Sequence, residues 1–161
     1  GLKMGYTHYF HFNSRCPADV FAKISNDIKK VVEYCNSLNP DEIRGWDGYG
    51  SPEFDDNSIS FNGDADKGED CETFLLEQDR TRKNFCKTNR NVYDTVVAAS
   101  VLIAKYYFND MTASCDDGKY GYDKAIRLLK KALGWDNVKI SYNEDDDEGG
   151  NYGVHIDVKN H

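Results

Sequence analysis

A chain of 161 residues, 39% hydrophobic and 13% aromatic, supplies one hydrophobic core and little for a second, so a single domain over 4–161 is expected. Its 28 acidic and 20 basic residues leave a formal net charge of -8, which disfavours bulk nucleic acid and anionic membrane surfaces as partners. No apolar run approaches the roughly 20 residues of a membrane span and no signal-peptide pattern opens the chain, so the cytoplasm is the expected location. Gly1-Leu2-Lys3 ahead of Met4 reads as a vector-derived leader. Cys16, Cys35, Cys71, Cys86 and Cys115 are odd in number and lack metal-ligand spacing, so neither a disulfide framework nor a metal site is expected.

The first predicted element is a strand over 5–12. Alternation places Tyr6, His8, Phe10 and Phe12 on one face and Thr7, Tyr9 and His11 on the other, so the two histidines cannot share a side. A helix follows Cys16-Pro17, with Phe21, Ile24, Ile28, Val31, Val32 and Cys35 at helical spacing and Lys23, Asp27, Lys30 and Glu33 on the opposite face; Pro17 suits its first turn. Residues 37–57 are rich in turn formers yet hold Trp46, Tyr49 and Phe54, as a packed loop or a ligand wall would. Ser58–Phe61 and Thr73–Leu76 read as a hairpin beside the first strand, joined by the acidic turn Gly63–Asp70.

From Asn91 to Phe108 apolar residues run nearly all the way round a helix, which fits a central position or a subunit interface and makes a homodimer reasonable. A second, amphipathic helix fits Tyr122–Leu133, with Ile126, Leu129 and Leu133 inward, Lys124, Arg127, Lys130 and Lys131 in solvent, and Gly134 as its stop. Alternation at Val138, Ile140 and Tyr142, and again at Val154, Ile156 and Val158, gives a C-terminal hairpin around the acidic turn Glu144–Gly150. The expected fold is α+β: a mostly antiparallel sheet of about five strands with three helices on one side.

Gly5-Tyr6-Thr7-His8-Tyr9-Phe10 resembles the opening of a family of small, mostly phage- and prophage-encoded proteins that begin Met-Gly-Tyr-Thr-His-Tyr. Similar to that family are also Ile59-Ser60-Phe61-Asn62-Gly63, Cys71-Glu72-Thr73-Phe74, and Phe85-Cys86-Lys87-Thr88 with Arg90, Tyr93 and Asp94. The likeness covers residues 4 to about 134, and Phe10 stands where the family usually carries Trp. The family is uncharacterised, so the resemblance implies a phage-like setting, hence a host-cell cytoplasm, and one compact domain. It transfers no catalytic residue.

Arg80 to Arg90 gathers Arg80, Arg82, Lys83, Lys87 and Arg90 in an otherwise acidic chain, directly ahead of the apolar helix. Helix N-termini favour anions, and Thr88, Asn89 and the cations are groups that hold phosphate oxygens; the alternative is a solvated basic loop. Arg90 and Asp94, one turn apart, are expected to pair, with Tyr93 on the adjacent face. Glu144–Glu148 lacks the spacing of a calcium loop, Asp64–Asp70 reads as a solvated turn, and no nucleophile, phosphate-loop or zinc-protease motif occurs.

These features point to a ligand site built from Tyr6, His8, Tyr9, His11, Trp46, Tyr49, Arg80, Arg82, Lys83, Lys87, Thr88, Arg90 and Tyr93, taking a nucleotide-like small molecule without metal or cofactor. In a phage-like protein such a site would sequester a nucleotide immune signal of the cyclic dinucleotide or cyclic ADP-ribose type, an anti-defence function. One alternative is a small phosphodiesterase or transferase using His8 or His11 with Lys87 or Arg90, although neither histidine begins the His-x-Thr/Ser motif of two-histidine phosphodiesterases. Another is an acidic inhibitor of a host protein.

Overall fold

The computed structural model describes residues 5–146 and 152–160. In chain order its regular elements are β1 Thr7–Phe12, α1 Ala18–Leu38, β2 Ile43–Arg44, β3 Glu53–Phe54, β4 Ser58–Gly63, β5 Phe74–Glu77, β6 Asn84–Lys87, α2 Asp94–Tyr107, β7 Met111–Cys115, α3 Asp123–Leu133, β8 Lys139–Asp146 and β9 Tyr152–Lys159. The class is α+β, but nine strands form three hydrogen-bonded sheets instead of one five-stranded sheet: β6-β1-β7, then β2-β4-β3 with β5 on β4, and β8-β9.

The faces of β1 divide as its alternation demands, with Tyr6, His8, Phe10 and Phe12 buried and Tyr9 exposed. Both edges of β1 are occupied, by β6 and by β7, each antiparallel. The β4–β5 hairpin forms as expected but does not pair with β1; it meets that strand through packing, as in the Phe10–Phe74 ring contact. Part of the basic segment read as a loop is strand β6, whose Asn-Phe-Cys-Lys sequence is too short and polar to announce itself. β7 was not anticipated either, although Met111, Ala113 and Cys115 alternate inward. The Gly63–Asp70 turn is ordered locally: Asp64 caps a short 3-10 turn by accepting the Asp66 N–H and also pairs with Arg44.

Pro17 stands one position earlier than expected, as the cap of α1, and its carbonyl accepts the Phe21 N–H. Asp27 departs from the predicted solvent face. It is buried, and its carboxylate accepts the Tyr107 hydroxyl at 2.5 Å, so one polar group rides the apolar stripe because α2 brings it a donor.

The apolar helix, α2, is buried continuously from Val96 to Lys105. Elements of the same chain, α1, α3, β7 and β9, pack around it, so its all-round hydrophobicity serves the centre of the core and needs no second subunit to explain it. The buried Lys105 ammonium donates to the Asn109 and Met111 carbonyls where the chain turns into β7. In α3, Ala125 and Leu129 are buried, and Gly134 ends the helix at φ 72°, the left-handed conformation that glycine adopts without steric cost. The C-terminal hairpin has its expected pairing, Ile140 opposite Val158 and Tyr142 opposite Ile156; residues 147–150 of its acidic turn lie outside the described residues. No helix among the described residues is long and apolar enough to cross a membrane.

Candidate functional site

The entry to β1, the turn ahead of α2 and the start of α3 meet around a cavity of about 630 Å³, within the range of small-molecule sites. Tyr6 forms one wall. Its carbonyl accepts the N–H groups of Thr88 and Asn89, which docks the chain after β6 against the start of β1, and its hydroxyl donates to Cys115 Sγ at 3.2 Å. Burial, then the Cys115 contact, raises its phenol well above the ordinary value, so Tyr6 serves as a neutral ring and donor.

Asn89 and Arg90 follow with φ of 54° and 61°, two consecutive non-glycine residues in the left-handed region. Such a pair costs free energy that the surroundings must offset. The turn directs Arg90 over the Tyr6 ring, with its guanidinium carbon 4.1 Å from the centroid, and into a bidentate pair with Asp117 at 2.7 and 3.0 Å. The pair holds the Asp117 carboxyl below its ordinary range, chiefly through the Arg90 hydrogen bonds. The expected Arg90–Asp94 pair does not form, because the left-handed turn swings Arg90 out of helical register with α2.

Asp94 has other partners. Its Oδ1 accepts His8 Nε2–H at 2.9 Å and the Thr88 hydroxyl at 2.5 Å, while Thr88 Oγ1 accepts the Arg90 N–H at 3.3 Å. His8 is fully buried, edge-on to the Tyr6 and Tyr122 rings, and its Nδ1 is buried without a hydrogen-bond partner. The chain from Arg90 through Thr88 to Asp94 and His8 therefore fixes a carboxylate in the cavity wall from behind.

The remaining wall comes from outside the segments that sequence reading singled out. Lys124 and Arg127 of α3, read as solvated, line the cavity together with Glu69, Asp123 and Tyr120. Glu69 accepts the Val92 N–H, which anchors the 63–70 turn to the start of α2. The i,i+3 spacing of Lys124 and Arg127 marks a common helix face, but nothing in the sequence says that the face meets Tyr6 and Arg90.

Of the expected site residues, Tyr6 and Arg90 line the cavity and His8 and Thr88 stand behind it. Tyr93 is core, its hydroxyl donating to the Glu72 and Lys87 carbonyls. Tyr9, His11 and Lys87 belong to the other face of the β1 sheet, while Arg80, Arg82 and Lys83 sit at the β5–β6 turn, the opposite end of β6 from Arg90. Trp46 and Tyr49 are exposed on the loop after β2 and are not among the lining residues. The structure thus does not gather the set into one pocket, because β6 is extended and separates its two ends by about 10 Å. Neither strand histidine lines the cavity.

Compared with known proteins, the chain matches no family model, no curated protein and no solved structure.

Proposed function

We propose that the protein binds a small phosphorylated, nucleotide-like molecule in the cavity between Tyr6, Arg90 and α3 and holds it without chemical change. The observation that carries this reading is the convergence of three cations from two separate segments, Arg90, Lys124 and Arg127, on one cavity walled by an aromatic ring. Arg90 is held in place by Asp117, which occupies its fork, and its remaining N–H groups are donors of the kind phosphate oxygens accept. Four carboxylates share the lining: Asp117 is engaged by Arg90, Asp94 by His8 and Thr88, and Glu69 by a backbone N–H, while Asp123 stands at the start of α3. Holding, in preference to turnover, is favoured because His8 is sealed behind Asp94 and His11 faces the opposite side, which leaves neither imidazole placed to touch a ligand here.

The phage-like opening motif makes a nucleotide immune signal the ligand class of choice, so that retention would be sequestration, in a host cytoplasm. The test is a thermal-shift and native mass spectrometry screen with cyclic dinucleotides, cyclic ADP-ribose isomers, NAD and inorganic phosphate. Ligands are recovered after heat denaturation and checked for intactness. Stabilisation by a compound recovered unchanged, lost in Arg127→Ala, supports the reading. Recovery of a cleaved product, or no shift with any phosphorylated compound, overturns it.

A further inference from the structure

The face of the β1 sheet turned away from the core carries a second arrangement that the cavity does not use. Thr7, Tyr9 and His11 of β1 lie there, with Phe85 opposite Tyr9 and Lys87 opposite Thr7 on β6, and with Ser114 opposite Tyr9 and Thr112 opposite His11 on β7. Tyr9 is 45% and Phe85 58% exposed, two rings on directly paired strand positions, where Cβ atoms stand about 5 Å apart. Neither ring is needed to fill the core, since Phe10 and Cys86, their neighbours in sequence, are the buried residues.

Cations stand at both ends of this face. Lys87 is exposed beside Thr7, and Lys83 at the other end of β6 lies close enough to His11 to depress its imidazole further, after burial, which is the larger cause. Two carboxylates stand beside this face, Glu72 and Asp116, and accept the Lys87 and Thr7 backbone N–H groups at the strand ends. In a chain of net charge -8, this face sets two open rings between two lysines and beside hydroxyls.

We propose that this face is a stacking platform for a short single-stranded nucleic acid. Bases lie on Tyr9 and Phe85, Lys83 and Lys87 meet the backbone phosphates, and the Thr112 and Ser114 hydroxyls border the stack. Single strands offer free base faces, which rings on a sheet can take without regard to sequence. A duplex hides those faces and presents a dense row of phosphates to an acidic protein, so it is excluded. This platform is independent of the cavity between Arg90 and α3.

Fluorescence anisotropy with a labelled single-stranded hexa-adenylate RNA, and with a duplex of the same length, tests the platform at low salt. The single strand binds, and the duplex binds at least about tenfold more weakly. Tyr9→Ser and Phe85→Ser each weaken binding by about tenfold or more, as loss of one base stack implies, with unchanged thermal unfolding. Lys83→Gln and Lys87→Gln flatten the salt dependence, whereas Arg127→Ala leaves oligonucleotide binding intact. Absence of single-strand binding, equal binding of the duplex, undiminished binding by the Tyr9→Ser, Phe85→Ser double variant, or loss on Arg127→Ala overturns the proposal.

Discussion

Asp94 at the first turn of α2 accepts a hydrogen bond from His8 Nε2 at 2.9 Å across 86 residues of sequence. The contact ties the central helix to the central strand through a polar pair whose imidazole is fully buried. Deleting one partner leaves the other without its hydrogen bond inside the protein, which costs more than the pair contributes. Asp94→Ala is expected to lower unfolding free energy by about 2–4 kcal/mol and Thr88→Val by about 1–2 kcal/mol. The expected ordering is Asp94→Ala worse than Thr88→Val, measured by urea denaturation. Equal, sub-kilocalorie effects would mean the network is ornamental.

Arg90 and Asp117 make the opposite case. Both side chains are well exposed, so the pair adds little to stability and more to orientation. Arg90→Ala should therefore leave the melting temperature nearly unchanged while removing ligand-induced stabilisation. The acid limb gives a second readout. Asp117 has a carboxyl pKa lower in the folded protein than in the unfolded chain, so as pH falls the unfolded chain binds the proton first. Its contribution is complete above the unfolded value of about 3.9 and is lost as pH drops through the lower folded value. Native Asp117, followed by carboxyl NMR, should titrate below that value and return toward it in Arg90→Ala.

How far the sequence spoke for the site depended on range. That His8 and Tyr9 lie on opposite faces follows from strand alternation, which does not say which face is buried, and α2 and α3 follow from apolar spacing. Asp94 was visible too, but its helical neighbour Arg90 was the partner that spacing suggested. The left-handed backbone at Asn89 and Arg90 redirects Arg90 to Asp117, 27 residues on, and no local pattern marks two such residues in a row. Lys124 and Arg127 looked like any solvated helix face, because only the packing of α3 against α1 and α2 brings them across the cavity from Tyr6 and Arg90. Asp27 was misplaced for the same reason: its donor, Tyr107, lies 80 residues away.

Gly121 offers a test of how tightly that packing is drawn. A Cβ built there would lie 2.2 Å from Cys115 Sγ and 2.4 Å from the Tyr6 hydroxyl oxygen. Neither neighbour has room to withdraw, since Tyr6 is 1% and Cys115 7% exposed. Gly121→Ala should therefore destabilise by about 1–3 kcal/mol and displace the Tyr6 ring from beneath Arg90. Gly50→Ala is the control. Unlike Gly121 it has a positive φ, 64°, but open space around its Cβ, so it bears only the backbone cost of about 1 kcal/mol. A milder loss for Gly121→Ala than for Gly50→Ala in thermal unfolding would show the wall at Tyr6 to be loose.

The thiols report on the core without any ligand. All five cysteines are free, and Cys16, Cys35, Cys86 and Cys115 are buried while Cys71 is half-buried. Burial pushes Cys16 up to about 11 and Cys35 up to about 12 and raises Cys86 and Cys115 as well. Reaction with a disulfide reagent requires both access and thiolate. At pH 8 the folded protein should therefore show one reacting thiol on the timescale of minutes, abolished in Cys71→Ser, and the remaining four only as the chain unfolds. Their slow rate then measures global opening. At reagent concentrations where reclosing is fast relative to reaction, a stabilising ligand in the Arg90 cavity should slow it by the factor by which the ligand raises the folding equilibrium constant. Rapid modification of Cys115 in the native state would mean that the wall beside Tyr6 opens locally.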